Sequence, residues 1–398
     1  MKEGTERRQF GRRAFLRTAT AAGLGVTGAS FAGLVSPLTA LARDHRQDFV
    51  SRRGPSFALG DDVFYFAGTN NYYLHYQSHF MIDDVLNDAV AMGLPVIRMW
   101  GFLDGNAANG FVMQPTPGVY PEDGYERFDY TVWRAGQLGL RLVVVLVNNW
   151  NDFGGMNQYV TWFGAASHDE FYTNPQIKDA YKHYVRHFLH RTNRYTGRMM
   201  IDEPTIMTWE LANEPRCESD PSGDTLFDWV REMSFFIKSM DRRHLVAIGD
   251  EGFYRQPGNP DWTRGGGEGV DWTRNLALPT VDYGTLHLYP DYWGKDNTWS
   301  LQWIADHIHD GHALGKPVVV EEYGWLDLTT RDAIYTGWTD AVYQLGGNGD
   351  QFWILTGLQD DGTLYPNYDG FRVTYPSSTA SVLAAHAARM KAKSDRHG

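Results

Sequence analysis

The sequence predicts a single closed (β/α)8 barrel, and three observations carry that prediction. Eight short β-rich runs recur along the 398 residues, separated by stretches with apolar residues at helical spacing. The runs are almost continuously apolar, as parallel strands buried on both faces must be. Polar and charged residues collect at or just past their C-terminal ends, the face on which a barrel of this kind carries chemistry. An open doubly wound sheet is the competing arrangement. It would show a Gly-rich first turn for phosphates, and "FAGTNNYY" has none.

The first run is "VFYFAGTN" (63–70), followed by "MIDDVLNDAVAMG" (81–93), an amphipathic helix. "PVIRMW" (95–100) sets Arg98 near its end, and "RLVVVLVNN" (141–149) ends on Asn148 and Asn149. The segment "IKDAYKHYVRHFLHRTNRY" (177–195) is the next clear helix. "TIMTWELAN" (205–213) closes on Asn213 with Glu214 immediately beyond, and "HLVAIGD" (244–250) is the fifth run. "DYGTLHLY" (282–289) carries His287 and Tyr289, "KPVVVEEYG" (316–324) carries Glu321 and Glu322, and "DQFWILTG" (350–357) carries Trp353.

Composition narrows the function classes. Aromatic residues make up 14% of the chain, with 14 Trp and 22 Tyr, and flat aromatic faces are a common means of holding hydroxylated ligands. A net charge of −12 argues against nucleic acid and anionic membranes as partners. The single cysteine, Cys217, rules out an intrachain disulfide framework and a cysteine zinc site.

At the N-terminus, "GRRAFLR" (11–17) sets two arginines ahead of an Ala-, Gly- and Thr-rich apolar stretch. "TALA" (39–42) then supplies an A-x-A cleavage site. The stretch lacks the strong apolar core of a transmembrane anchor. Residues 1–42 are therefore expected to be a signal peptide, and the arginine pair resembles a twin-arginine export signal. Its removal leaves 30 basic and 46 acidic residues, a net −16. The remainder, 43–398, holds no linker, repeat or low-complexity block. It reads as one domain, and after cleavage of the signal it is expected to be secreted, a monomer and free of the membrane.

Two carboxylate positions stand out. Glu214 ends the fourth run and Glu321/Glu322 end the seventh, and those strands face one another across a barrel mouth. Two facing carboxyls divide into an acid and a base or nucleophile when their surroundings separate their pKa values. Glycoside cleavage needs that arrangement.

"WELANEPR", "LHLYP", "VVVEEYGW" and "QFWILTG", in register with the other strand ends, resemble glycoside hydrolase family 5. "GTNNYYL" (68–74) and "VNNWNDFGGMNQYVTWFG" (147–164) resemble its endo-β-1,4-mannanase branch, and the likeness runs from about Phe57 to about Tyr368. The resemblance implies retaining double displacement on internal β-1,4-mannosidic bonds of mannan, glucomannan or galactomannan, without metal or organic cofactor. It implies Glu214 as acid/base and Glu322 as nucleophile, with Asn213 on the sugar 2-hydroxyl. Arg98 would keep Glu322 ionised and Tyr289 would donate to it, with His287 near the sugar. Trp353 would be the platform under the sugar whose bond is cut, Arg216 would serve the leaving-group side, and Trp150 would be a subsite platform. Trp162, Trp293 and Trp325 are further platform candidates. Strand alternation turns Glu321 away from Glu322, so Glu321 is expected to pair with the helical layer. The relatives' second cysteine after "NEPRC" is missing, which leaves Cys217 a free thiol in a looser loop. An endo-β-1,4-glucanase and a non-catalytic polysaccharide-binding barrel are the alternatives.

Two tracts carry weaker signals. "DHIHDGH" (306–312) lacks the spacing of a metal motif and reads as a solvated helix end. "RGGGEG" (264–269) lacks the Lys of a phosphate loop and reads as a flexible segment bordering the cleft.

Overall fold

Eight parallel strands form the sheet that the apolar runs predict: β4 (Phe66–Asn70), β5 (Val96–Trp100), β6 (Arg141–Val145), β7 (Ile206–Glu210), β8 (Leu245–Ala247), β9 (Gly284–Leu288), β10 (Val318–Tyr323) and β11 (Gly349–Phe352). The structure is a computed structural model and describes residues 49–105 and 111–397; the signal peptide expected at 1–42 lies outside them. The strand order is β8-β7-β6-β5-β4-β11-β10-β9, and the β8/β9 seam completes a (β/α)8 barrel. A side chain helps to close that seam. Asp282 N donates to Val246 O at 2.8 Å while Val246 N donates to the Asp282 carboxylate at 2.7 Å.

The helices between strands follow local sequence rules. His79–Met92 begins on Ser78, whose hydroxyl accepts from Met81 N, and ends on Gly93 at φ 75°. Its buried face is Met81, Ile82, Val85, Leu86, Ala89 and Met92. Pro175–His190 starts with Asn174 as cap and Pro175 in the first turn, and buries Ile177, Tyr181, Tyr184 and Phe188. Ser378–His397 packs back on β4 and on the first helix.

An antiparallel sheet, β1 (Val50–Arg53), β2 (Ser56–Leu59) and β3 (Asp62–Phe64), precedes the barrel. The sequence reading took 63–70 as one strand. The chain instead breaks at Tyr65, with Asp62–Phe64 in this small sheet and Phe66–Asn70 in the barrel. Phe57 from β2 joins Phe66, Val96, Val143, Met207, Tyr283 and Val319 in an apolar cluster toward the N-terminal strand ends. The opposite end holds the polar residues.

Candidate active site

A cleft of about 870 Å³ opens over the C-terminal strand ends. Asn213, Glu214, Arg216, Tyr289, Glu322, Trp150 and Trp353 all line it. Beyond β7 the backbone continues along the wall by bonding to the end of β8: Leu211 N to Ala247 O, Ala212 N to Ile248 O and Glu214 N to Gly249 O at 2.7 Å. Glu214 there takes φ 51°, a conformation that non-glycine residues rarely adopt and that clusters at functional sites. Gly249 permits the close approach, because a Cβ on it would lie 2.1 Å from Ala212 O.

Glu322 is only 4% exposed and both of its oxygens are held. Arg98 Nη1 donates to Oε1, and Tyr289 Oη donates to Oε2 at 2.7 Å. Glu214 is held from two other sides, by His287 Nδ1 at 2.7 Å from Oε1 and by Trp150 Nε1 donating to Oε2 at 2.5 Å. Asn213 Oδ1 accepts from Arg98 Nη2 at 2.8 Å, and its Nδ2 donates to Asn148 Oδ1 at 3.0 Å. Oxygens of Glu214 and Glu322 lie within 4.8 Å of one another and of a His287 nitrogen. On distance that trio could hold a cation, but all four carboxylate oxygens already accept from protein donors.

The family model described as GH family 5 beta-mannosidase-like matches residues 47–345. The chain belongs to this family. It is 36% identical to mannan endo-1,4-beta-mannosidase 1 of Arabidopsis thaliana over 86% of this chain and 90% of that one. The endo-beta-1,4-mannanase of Thermotoga petrophila superposes with a TM-score of 0.77 at 48% identity, over 82% of this chain and 77% of that one. The Rhizomucor miehei endo-1,4-beta-mannanase gives 0.82 at 37%, over 86% and 99%.

Several residues of this family 5 barrel sit differently from expectation. His287, expected near the sugar, is fully buried and meets the cleft only through Glu214, whose Oε1 lies 2.7 Å from its Nδ1. Glu321 does not pair with the helical layer. The β9–β10 register shifts between Val320 and Glu322, so the chain bulges there and the alternation of facing is interrupted. Glu321 consequently points inward too, 3.6 Å from Arg98 Nε and 3.7 Å from His287 Nε2. Glu210, which the sequence reading passed over, grips Arg98 with both oxygens, each 3.0 Å from Nε. Its signal was a Glu inside an otherwise buried run, which requires a buried cation.

Burial raises the Glu322 carboxyl above its ordinary 4.5, helped by the charge of Glu214 and opposed by His287, Arg98 and Tyr289. Glu214 is drawn the other way: burial would raise it, but the His287 and Trp150 donors bring it below its ordinary value. Burial alone would keep His287 neutral. The surrounding carboxylates, Glu322 and Glu214 foremost, hold it well above the usual imidazole range.

At the Trp150 wall of the cleft, the three guanidinium nitrogens of Arg216 bond Glu251, twice, and Glu268, each at 2.7 Å, beneath the face of Trp150. Glu268 belongs to the "RGGGEG" tract, which is therefore tied down, with Arg264 paired to Asp306 at 2.6 Å. Trp353 donates to Asp369 at 2.6 Å and stacks on Tyr72 with ring centroids 5.8 Å apart. Trp293 lines the cleft. Trp162 packs on Tyr159 and Trp325 bonds Thr330, and neither lines it. His307 of "DHIHDGH" is not solvated; it lies on the inner face of helix Asn297–Ala313 between Trp303 and Trp272. Cys217 is a free, buried thiol, and its loop is fixed by bonds from Cys217 N to Glu268 O and from Asp220 N to Cys217 O.

Proposed function

We propose that the chain is a secreted, retaining endo-β-1,4-mannanase, with 1–42 as a twin-arginine signal peptide and 43–398 as a monomeric catalytic domain. The observation that carries the mechanism is the pair of cleft carboxylates. Retaining glycosidases hold the two carboxyls about 5–5.5 Å apart, whereas inverting ones leave about 6.5–9.5 Å for a water. An oxygen–oxygen approach within 4.8 Å supports the retaining spacing.

Glu322 is the nucleophile. Its fixed partners, Arg98 and Tyr289, aim its carboxylate and oppose protonation. Glu214 is the acid/base. It passes to the leaving oxygen the proton it shares with His287 across 2.7 Å, so that the glycosyl bond to Glu322 forms as the glycosidic C–O bond breaks. Glu214 then takes a proton from the incoming water, which displaces Glu322 with net retention. Asn213, its amide oxygen fixed by Arg98, offers its Nδ2 to the sugar 2-hydroxyl, and Trp353 provides the flat face beneath the ring. Arg216 and Trp150 form the leaving-group wall.

The choice of mannan rests on the named activities of the relatives at 36% identity. The test is release of reducing ends from galactomannan, glucomannan and carboxymethyl cellulose by purified 43–398, with the anomer of the first product read by NMR. Release from the two mannans with β-product first is expected. E214Q should lower kcat on the order of 10²–10⁴-fold, the usual range for proton-transfer catalysis, and E322Q, which removes the nucleophile, should form no glycosyl-enzyme and abolish turnover. Release from cellulose alone would overturn the substrate, and α-product first would overturn the mechanism.

A further inference from the structure

The "RGGGEG" tract (264–269) has no part in the double displacement, yet it is bonded to the segment that carries Glu214. Glu268 makes two bonds there. Its carbonyl accepts from Cys217 N at 3.0 Å, and its Oε2 accepts from Arg216 Nη1 at 2.7 Å. Gly269 permits that approach: it has φ 67°, and a Cβ on it would lie 1.9 Å from Cys217 O. At the other end of the tract, Arg264 pairs with Asp306 at 2.6 Å and lies over the Trp303 ring, 5.3 Å from its centroid. The tract is a strap, fastened at one end to helix Asn297–Ala313 and at the other to residues 216 and 217.

Arg216 in turn holds Trp150. That indole is 40% exposed, and among the described residues no other aromatic ring stacks on it. The group against its face is the Arg216 guanidinium, 5.2 Å from the ring centroid. A half-exposed side chain on a bend keeps rotamer freedom, so its position is only as fixed as the cation beside it. Glu251 grips one edge of that cation through Nε and Nη2, and the guanidinium also rests on Phe253, 4.9 Å from the ring centroid. Glu268 takes the remaining nitrogen, Nη1, and stops the guanidinium plane from turning about the gripped edge. Trp150 Nε1 donates to Glu214 Oε2 at 2.5 Å. A contiguous path of contacts therefore runs from Glu268 through Arg216 and Trp150 to Glu214.

We propose that Glu268 is a positioning residue for Glu214: by locking Arg216 against Trp150 it keeps the indole N–H on Oε2 and holds the carboxyl at the angle that proton transfer needs. The inference rests on the functional reading just given. Glu268 is not among the residues that line the cleft, so it acts through its neighbours and not on the substrate. Both proton transfers of the mechanism depend on that angle, the one to the leaving oxygen and the one from the incoming water.

Two variants test the path, each checked for folding by circular dichroism. E268A removes the acceptor, whereas E268Q keeps a neutral and weaker one. The first measurement is solvent exchange of the Trp150 indole N–H by NMR, its resonance assigned from its loss in W150F. Exchange should be several-fold faster in E268A and less so in E268Q. Unchanged exchange in E268A would overturn the proposal. The second is the rate on 2,4-dinitrophenyl β-mannobioside, whose phenolate leaves without a proton and which brings no leaving sugar. Its kcat/KM reports attack by Glu322, and the steady rate after the phenolate burst reports hydrolysis of the glycosyl-enzyme, where Glu214 acts as base. E268A should lower that steady rate about 10-fold, less than the roughly 10²-fold that a 1 Å misplacement costs, and leave kcat/KM unchanged. The same substitution added to W150F should lower it no further, because the route through the indole is already cut. A higher KM on mannotetraose with the steady rate intact would show that Glu268 serves only leaving-sugar binding, which overturns the proposal. So would an equal fall in both aryl parameters, or a further fall in the W150F background. A wild type that turns over neither substrate would defeat the functional reading, while indole exchange would still decide whether Glu268 holds Trp150.

Discussion

At the scale of single residues, the site separates two carboxyls by what each is bonded to. As the proposed nucleophile, Glu322 must be ionised to attack, and burial together with the Glu214 charge raises it from 4.5. Activity should therefore fall on the acid side at a pH above that of an ordinary glutamate. Glu214 is lowered and His287 is raised well above 6.5, so in the proposed mechanism the proton of the resting site is assigned to His287, 2.7 Å from Glu214 Oε1. The active form is the protonated one, and a raised value moves the alkaline limb upward. A bell-shaped kcat/KM profile is expected, with its upper limb well above pH 6.5. H287N should bring that limb down. A wild-type alkaline limb below pH 6.5 would refute the assignment of the proton to His287. Arg98 was legible in the sequence as a partner for a carboxylate, but not that it serves Glu210 and Glu322 at once. A strand sequence names the cation without saying how many acids the barrel brings to it.

Elements were read where their physics is local and misread where a partner strand decides. The eight apolar runs were legible because strands buried on both faces leave an almost uninterrupted apolar signature. The bulge between Val320 and Glu322 was not, since facing alternates only along a regular ladder and nothing within "VVVEEYG" marks the extra residue. The turn beyond β7 depends on its neighbour in the same way. Gly249 accepts from Glu214 N at 2.7 Å and has φ 84°, and a Cβ there would meet Ala212 O at 2.1 Å and Glu210 Oε1 at 2.2 Å. G249A should cost about 1–3 kcal/mol, the range for a residue forced into a strained backbone region. It should also lower kcat, because relief of the clash moves the segment that carries Glu214. Thermal melting and initial rates on galactomannan check both effects, and an alanine variant with wild-type values in each would show that the contact is not required.

Across the whole molecule, the two ends of the barrel are built for different purposes. The C-terminal end gathers buried charge: Arg98, Glu210, Glu321, Glu322 and His287. The N-terminal end is an apolar cluster into which β2 inserts Phe57. That plug escaped sequence reading because strands of three or four residues, most of them only half-buried, show no clear period. Phe57 is fully buried, edge-on to Tyr283 with centroids 5.2 Å apart and tilted against Phe66 at 6.1 Å. Truncation removes an aromatic ring from a packed lumen, at a cost of about 3–5 kcal/mol for such a change. F57A should lower the midpoint of denaturant unfolding accordingly. Yet none of its contacts reaches the cleft, so kcat and KM on galactomannan, measured well below the midpoint, should stay at wild-type values. Loss of activity without loss of stability would mean that the bottom of the barrel governs the geometry of Glu214 and Glu322, and that the division of labour between the two ends does not hold.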